Sequence, residues 1–288
     1  GRPPIVAGSA LFAGASADIG VALVDVVGQV AFATEPTGAT TIDLALERAK
    51  AFGVTLNGVS GAVAIEDGGV ALTDITGATH GGRFTVHGGI SSGTNSGTNG
   101  RIGTATQRYD IGIELSNVRL ASLLAEQNTA ERPAAMPERP GRIDAGVSIA
   151  GVVGQAGTRT GRGEVRVQDG AVLSGTFFAR LISVGNFQIP TTGVVRDARL
   201  SFFIDGDRVL FDRISAFVRS VELYGFGVFD LSNEGLNMYF ASRSIDRIPV
   251  LTDVFDGIRD ELLTVRVTGT LDDRQITPET LPVTRRLL

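Results

Sequence analysis

The sequence predicts a mainly β protein: a long, strongly curved, antiparallel-rich sheet with two or three short amphipathic helices. Three observations carry this. From Ile5 to Ile90 short alternating runs follow one another (DIGVALVDV, GQVAFAT, TIDLALERA, GAVAIEDGGVALTDI, GRFTVHGGI), and turn residues punctuate them at the close spacing of all-β chains. Glycine recurs inside these runs, as expected of bulged or sharply curved strands rather than flat ones. The form strand, Asp-Gly, strand returns at Asp67, Asp169 and Asp205, with spacings too irregular for a fixed-period solenoid.

The elements follow in order. The polar stretch SSGTNSGTNG at 91–100 has nothing to bury and reads as a hairpin loop. YDIGIELSNVRLASLLAEQ then gives a strand and a short helix. QNTAERPAAMPERPGR combines breakers with charge, so we divide the chain into a β segment at 1–126, a Pro-rich loop or linker at 127–142, and a second β region at 143–288. In LSGTFFARLISV, Phe177, Phe178, Leu181 and Ile182 share a helical face. In the stretch after Pro249, Leu251, Val254, Phe255, Ile258 and Leu262 recur at helical spacing.

Between these helices, LSFFIDGDRVLFDRI (200–214) alternates Leu200, Phe202 and Ile204, turns at Asp-Gly-Asp, and resumes at Val209 and Phe211. The same parity continues through Val221, Leu223, Phe229 and Leu231 and then Leu236, Met238 and Phe240, giving one apolar face across several strands. Phe203 and Leu210 fall on the opposite face, where we expect a neighbouring helix to cover them.

Composition excludes several functions. The net charge is −5, and Lys50 is the only lysine, so there is no basic surface for nucleic acid. Cysteine is absent, which removes disulfides and thiolate metal sites. His80 and His87 lie seven residues apart on what reads as one strand, hence on opposite faces, and are expected to be surface or rim residues. The acids Asp253, Asp256, Asp260 and Glu261 lack the spacing of a calcium loop. GRG at 161–163 and GFG at 225–227 do not complete a nucleotide-binding motif, and GVSGA around Ser60 is not a nucleophile elbow. No catalytic residues, metal ligands or cofactor are expected, and an enzyme is the least favoured class. No run has the length of a spanning helix, and the start at Gly1 reads as that of a piece of a longer protein.

An ordered set of features, GRIDAGVSIAG (141–151), GRGEVRVQDGAVL (161–173), ARLSFFIDGDRVLFDRI (198–214), VELYGFGVFDLSNEGLNMYF (221–240) and IPVLTDVFDGIRDELLTVRVTGTLDD (248–273), resembles the C-terminal region of the AsmA-like family, related to TamB and to bridge-like lipid-transfer proteins. Arg274 and Gln275 depart from the family, which usually has proline after this last segment. The resemblance implies a sheet open as a groove whose concave face holds phospholipid acyl chains. It implies a periplasmic protein held in the inner membrane by an N-terminal anchor, reaching toward the outer membrane or envelope proteins and serving outer-membrane biogenesis. On this reading the groove lining is the apolar face just named, and the Leu251–Leu262 helix closes the groove end or packs on its rim. The competing readings are a structural or adhesive β-solenoid or β-sandwich of a secreted surface protein and an outer-membrane barrel. The latter is opposed by the absence of tryptophan and the three tyrosines.

Overall fold

The computed structural model describes residues 6–18, 22–93, 106–127, 140–171, 194–218, 221–244, 263–270 and 273–279. The protein is nearly all β: one long antiparallel sheet of 15 strands, in chain order and not closed into a barrel. The strands are β1 (Val6–Asp18), β2 (Ala22–Thr34), β3 (Thr40–Ala51), β4 (Val54–Glu66), β5 (Gly69–Thr79), β6 (Gly82–Gly93), β7 (Thr106–Arg119), β8 (Pro140–Val152), β9 (Gln155–Ala171), β10 (Val194–Asp205), β11 (Arg208–Val218), β12 (Val221–Asp230), β13 (Gly235–Ser244), β14 (Leu263–Thr270) and β15 (Arg274–Glu279). Among the described residues the one helix is α1 (Leu120–Gln127). The stretches at 177–182 and 249–262 expected to be helical lie outside the described residues.

Two compact units make up the chain, residues 1–135 with 143–161 and residues 136–142 with 162–288. The division passes between 135 and 136, within the expected linker, and again inside β9, so that residues 143–152 of β8 belong with the first unit. Chain-order pairing is what short hairpins produce. At Asp67-Gly68 and His80-Gly81 both central residues have positive φ (49° and 72°, 46° and 78°), the requirement of the two-residue turn whose twist matches its flanking strands. Asp205 ends β10 as expected, with Gly206 in the turn. Asp169 does not form a turn: β9 runs through it with φ 47°, as a left-handed residue within a continuous strand. The dipeptide reports a positive φ, which a bulge needs as much as a hairpin does.

The strands bend. Register shifts interrupt the pairing of β1 with β2 at Ala13/Ala15, β4 with β5 at Asn57/Ser60, β5 with β6 at Leu72/Ile75 and β11 with β12 at Phe211/Ile214. Such bulges increase twist and bend the strand that carries them. Glycine allows a sharper device at two places. Gly61 (φ 149°) and Gly227 (φ 153°) occupy a conformation essentially closed to other residues, and a Cβ there would stand 2.7 Å from Ile75 Cα and 2.6 Å from Met238 Cα. The adjoining strand closes in on the glycine, which is how a sheet is made to curl.

Candidate functional site: an apolar sheet face

In the second unit, pairing carries the apolar face from strand to strand. Phe202 faces Phe211 across β10 and β11, Phe229 faces Leu236 across β12 and β13, and Met238 and Phe240 face Val267 and Val265 on β14. The Phe202 and Phe211 rings lie 6.0 Å apart in a tilted pair, a favourable aromatic arrangement. Leu200, Phe211, Leu223, Phe229, Leu236, Met238 and Phe240 are buried, and Phe202, Ile204 and Val209 are half-buried. Val221 belongs to β12, but its side chain lies outside the described residues.

One expected member of this face and the parity of one strand need correction. Leu231 lies beyond the end of β12 in the turn to β13 and is 44% exposed, because the strand stops at Asp230, whose carboxylate accepts from the Ser232 backbone and hydroxyl. The bulge after Phe211 also shifts parity, so that Ile214 and Ala216, not the residues of Phe211's own parity, continue the buried face. The Leu251, Val254, Phe255, Ile258 and Leu262 helix face lies outside the described residues.

The opposite face of this unit is not polar. Phe203 is 51% and Leu210 37% exposed; the neighbouring helices expected to cover them lie outside the described residues. Phe226 stacks on Tyr239 at 5.2 Å, and the Arg266 guanidinium lies 5.4 Å from the Tyr239 ring. These cross-strand pairs stabilise a sheet directly, by about 0.2–1 kcal/mol each.

The first unit carries an apolar face of a different kind, whose residues sequence reasoning left unassigned. Val26, Leu46, Val59, Val63, Ile75 and Phe84 are its buried centre, and Phe12, Val30, Ile42, Leu44, Leu56, Val70, Leu72, Val86 and Leu115 pack on it while half-exposed. The stripe crosses β1 to β7 without a break. The alternation in TIDLALERA and GVALTDI carried this signal, because successive partners such as Ile42, Val63 and Leu72 stand opposite one another.

At one end of these strands sits α1. β7 ends beside the His80-Gly81 turn, where the Arg119 N–H donates to the His80 carbonyl at 3.1 Å. The helix then returns to the start of β4. There Glu126 accepts from the Thr55 N–H at 3.0 Å and from the Thr55 hydroxyl, and its Oε2 approaches His80 Nε2 at 2.7 Å, an off-line ion-pair contact rather than an aligned hydrogen bond. Burial alone would raise the Glu126 pKa. The Thr55 hydrogen bonds and the His80 contact outweigh it and hold the carboxyl below its ordinary value. His80 is therefore a turn residue against a helix rather than a strand residue, and His87 lies separately on β6 over Gly112.

The lowered carboxyl fixes a sign. Its contribution is present above the ordinary glutamate value of about 4.3 and is lost as pH falls through the lowered folded value. The protection of the α1 amides, relative to their intrinsic exchange at each pH, is expected to fall as pH drops through that lowered value. Glu126→Gln should lower this protection about tenfold at neutral pH, the worth of roughly one charged hydrogen bond, and remove the acid dependence. Protection that is insensitive to both changes would show that this contact does not hold α1.

Toward the other end lies an open cleft of about 1200 Å³ lined by Arg108, His87, Tyr109, Ser91, Glu66, Asp67 and Asp110 among others. It carries both charges and so favours neither an anion nor a cation. No three His, Asp or Glu side chains are placed to hold a metal ion among the described residues. No family model, curated protein or solved structure matches the chain.

Proposed function

We propose that the chain provides hydrophobic groove surface for phospholipid acyl chains, as a periplasmic part of an AsmA-like protein held at the inner membrane and serving lipid transfer toward the outer membrane. The observation that supports this reading is the half-exposed apolar stripe of the first unit, continuous over β1 to β7. With strands about 4.8 Å apart, it extends for about 29 Å. One leaflet of a bilayer contributes about half of a 30 Å hydrocarbon core, so the stripe exceeds the length of a single acyl tail.

The energetic case is continuity. Exposing a tail of about sixteen carbons to water costs on the order of 13 kcal/mol at about 0.8 per CH₂. A gap in the stripe would restore much of that barrier, whereas an unbroken apolar face removes it without any one specific site. No catalytic group is needed.

A second reading has its own observation. Ile214, Met238 and Val267 are 0% exposed in the second unit, as in a closed β core with a structural or adhesive role. The two readings separate in one experiment, native mass spectrometry and lipid extraction of the purified chain. Leu44→Gln with Leu72→Gln alters half-exposed positions and leaves the buried centre in place. Co-purified phospholipid is expected with the natural chain and a loss of at least threefold with the folded double variant. A chain that binds no phospholipid, or whose binding ignores these two changes, rejects the groove in favour of the closed core.

A further inference from the structure

Strand register places the charges of the open cleft in the first unit. Ala64 on β4 stands opposite Ala71 on β5, Ala71 opposite Gly89 on β6, and Gly89 opposite Asp110 on β7, with Ser91 opposite Arg108 in the next row. The Gln107 carbonyl accepts from the Val153 N–H at 2.9 Å, so counting along this antiparallel pair sets Ala150 beside Asp110 and Val152 beside Arg108. All of these residues line the cleft. The row from Ala64 to Asp110 has the parity opposite to Val63 and Leu72, and so lies on the face turned away from the apolar stripe.

Alanine and glycine keep the floor low, and charge rises from one strand beside it. Arg108 and Asp110 share a face of β7 two residues apart, about 6.6 Å between Cα atoms. Both are exposed, and neither makes an ion pair or hydrogen bond among the described residues. Glu66 and Asp67 border the cleft from the end of β4, three strand spacings or about 14 Å from β7, too far to serve the same small group. His87 lies on the Asp110 side, its ring across Gly112. A lone anion at Arg108 would meet Asp110, and a lone cation at Asp110 would meet Arg108. A ligand that carries both charges satisfies both side chains.

The donors define the ligand further. A guanidinium takes two oxygens of an oxyanion in its fork, and a phosphate has a further oxygen for a hydroxyl such as that of Ser91 across the strand pair. A primary ammonium brings three donors to a carboxylate. In an α-amino acid the two charges share one carbon and stand closer than Arg108 and Asp110 do, whereas a two-carbon linker between phosphate and ammonium spreads them. We propose that this cleft binds a zwitterionic ammonium phosphate of the phosphoethanolamine type, with the phosphate at Arg108 and Ser91 and the ammonium at Asp110. The site and the apolar stripe use opposite faces of the sheet, so the site stands whether or not the stripe carries acyl chains.

Titration of the purified chain with soluble O-phosphoethanolamine, followed by amide chemical shifts, tests the site without an acyl chain. The Gly89 and Ser91 amides are expected to shift, with an affinity at least about fivefold above that for inorganic phosphate or for ethanolamine alone, since each half satisfies one of two charged groups. Arg108→Gln and Asp110→Asn should each lower the affinity about fivefold with unchanged circular dichroism, because both side chains are exposed. The exchanged pair, Arg108→Asp with Asp110→Arg, should recover binding, which a merely structural role would not do. Vesicles of phosphatidylethanolamine and of phosphatidylglycerol identify the source. Arg108-dependent sedimentation with the former alone assigns a lipid headgroup, and binding of only the soluble compound assigns a free phosphoester. No binding of O-phosphoethanolamine, an affinity equal to that for phosphate, or a titration unchanged by Arg108→Gln overturns the proposal, even where phospholipid co-purifies with the stripe.

Discussion

Gly227→Ala is expected to destabilise the second unit by about 3 kcal/mol. The φ of 153° lies where residues with a Cβ pay about 1–3 kcal/mol. The added carbon would also stand 2.4 Å from the Asn237 carbonyl oxygen and 2.6 Å from Met238 Cα on the paired strand. Backbone cannot move aside as a side-chain tip can, so relief requires β12 and β13 to separate locally, at the further cost of about 1–3 kcal/mol typical of overpacking. Against a whole-domain stability of about 5–15 kcal/mol this is a large loss, read as a lower denaturant midpoint. Gly157→Ala, where a Cβ meets nothing within 4 Å, should leave stability unchanged or slightly raised. Equal stability of Gly227→Ala and the natural chain would show that β12 does not curl at this glycine.

Gly227 also marks what could be read in advance. A glycine within VELYGFGVFD announces a bend, and alternation announces the strands and their open, chain-order pairing, because these are local properties of the backbone. Leu200, Phe211, Leu223, Met238 and Phe240 fall on one face for the same reason: period two is strict within a strand. Prediction failed where a non-local event intervened. The bulge after Phe211 reverses parity and brings in Ile214, and the end of β12 at Asp230 puts Leu231 into a turn. Asp169-Gly170 reads identically to Asp67-Gly68, yet one lies within a strand and the other makes a hairpin, since the neighbouring strands decide what a positive φ is used for. His80 reads as a strand residue because its partner, Glu126, is remote in sequence and only the return of α1 to β4 brings the two together.

The degree of closure of the two apolar faces leads to the other large effect, Met238→Asp. Met238 is fully buried between Gly227 and Val267, its pairing partners on β12 and β14. A lone carboxylate there has no cationic partner supplied by those positions, and a buried unpaired charge costs about 3–5 kcal/mol. The group escapes part of this cost by staying protonated, so its folded pKa rises above the unfolded value of about 3.9. An acid with a raised folded pKa destabilises most above that raised value and least below the unfolded one. The variant should therefore unfold most readily at neutral pH and recover partly toward pH 3, while Met238→Asn should lose stability with no such recovery; chemical denaturation at both pH values measures the difference. Leu72→Asp on the half-exposed stripe should cost less and depend less on pH, because water reaches the carboxylate. Similar losses at both positions would show that the first unit is as closed as the second, removing the exposed apolar surface on which a lipid groove depends.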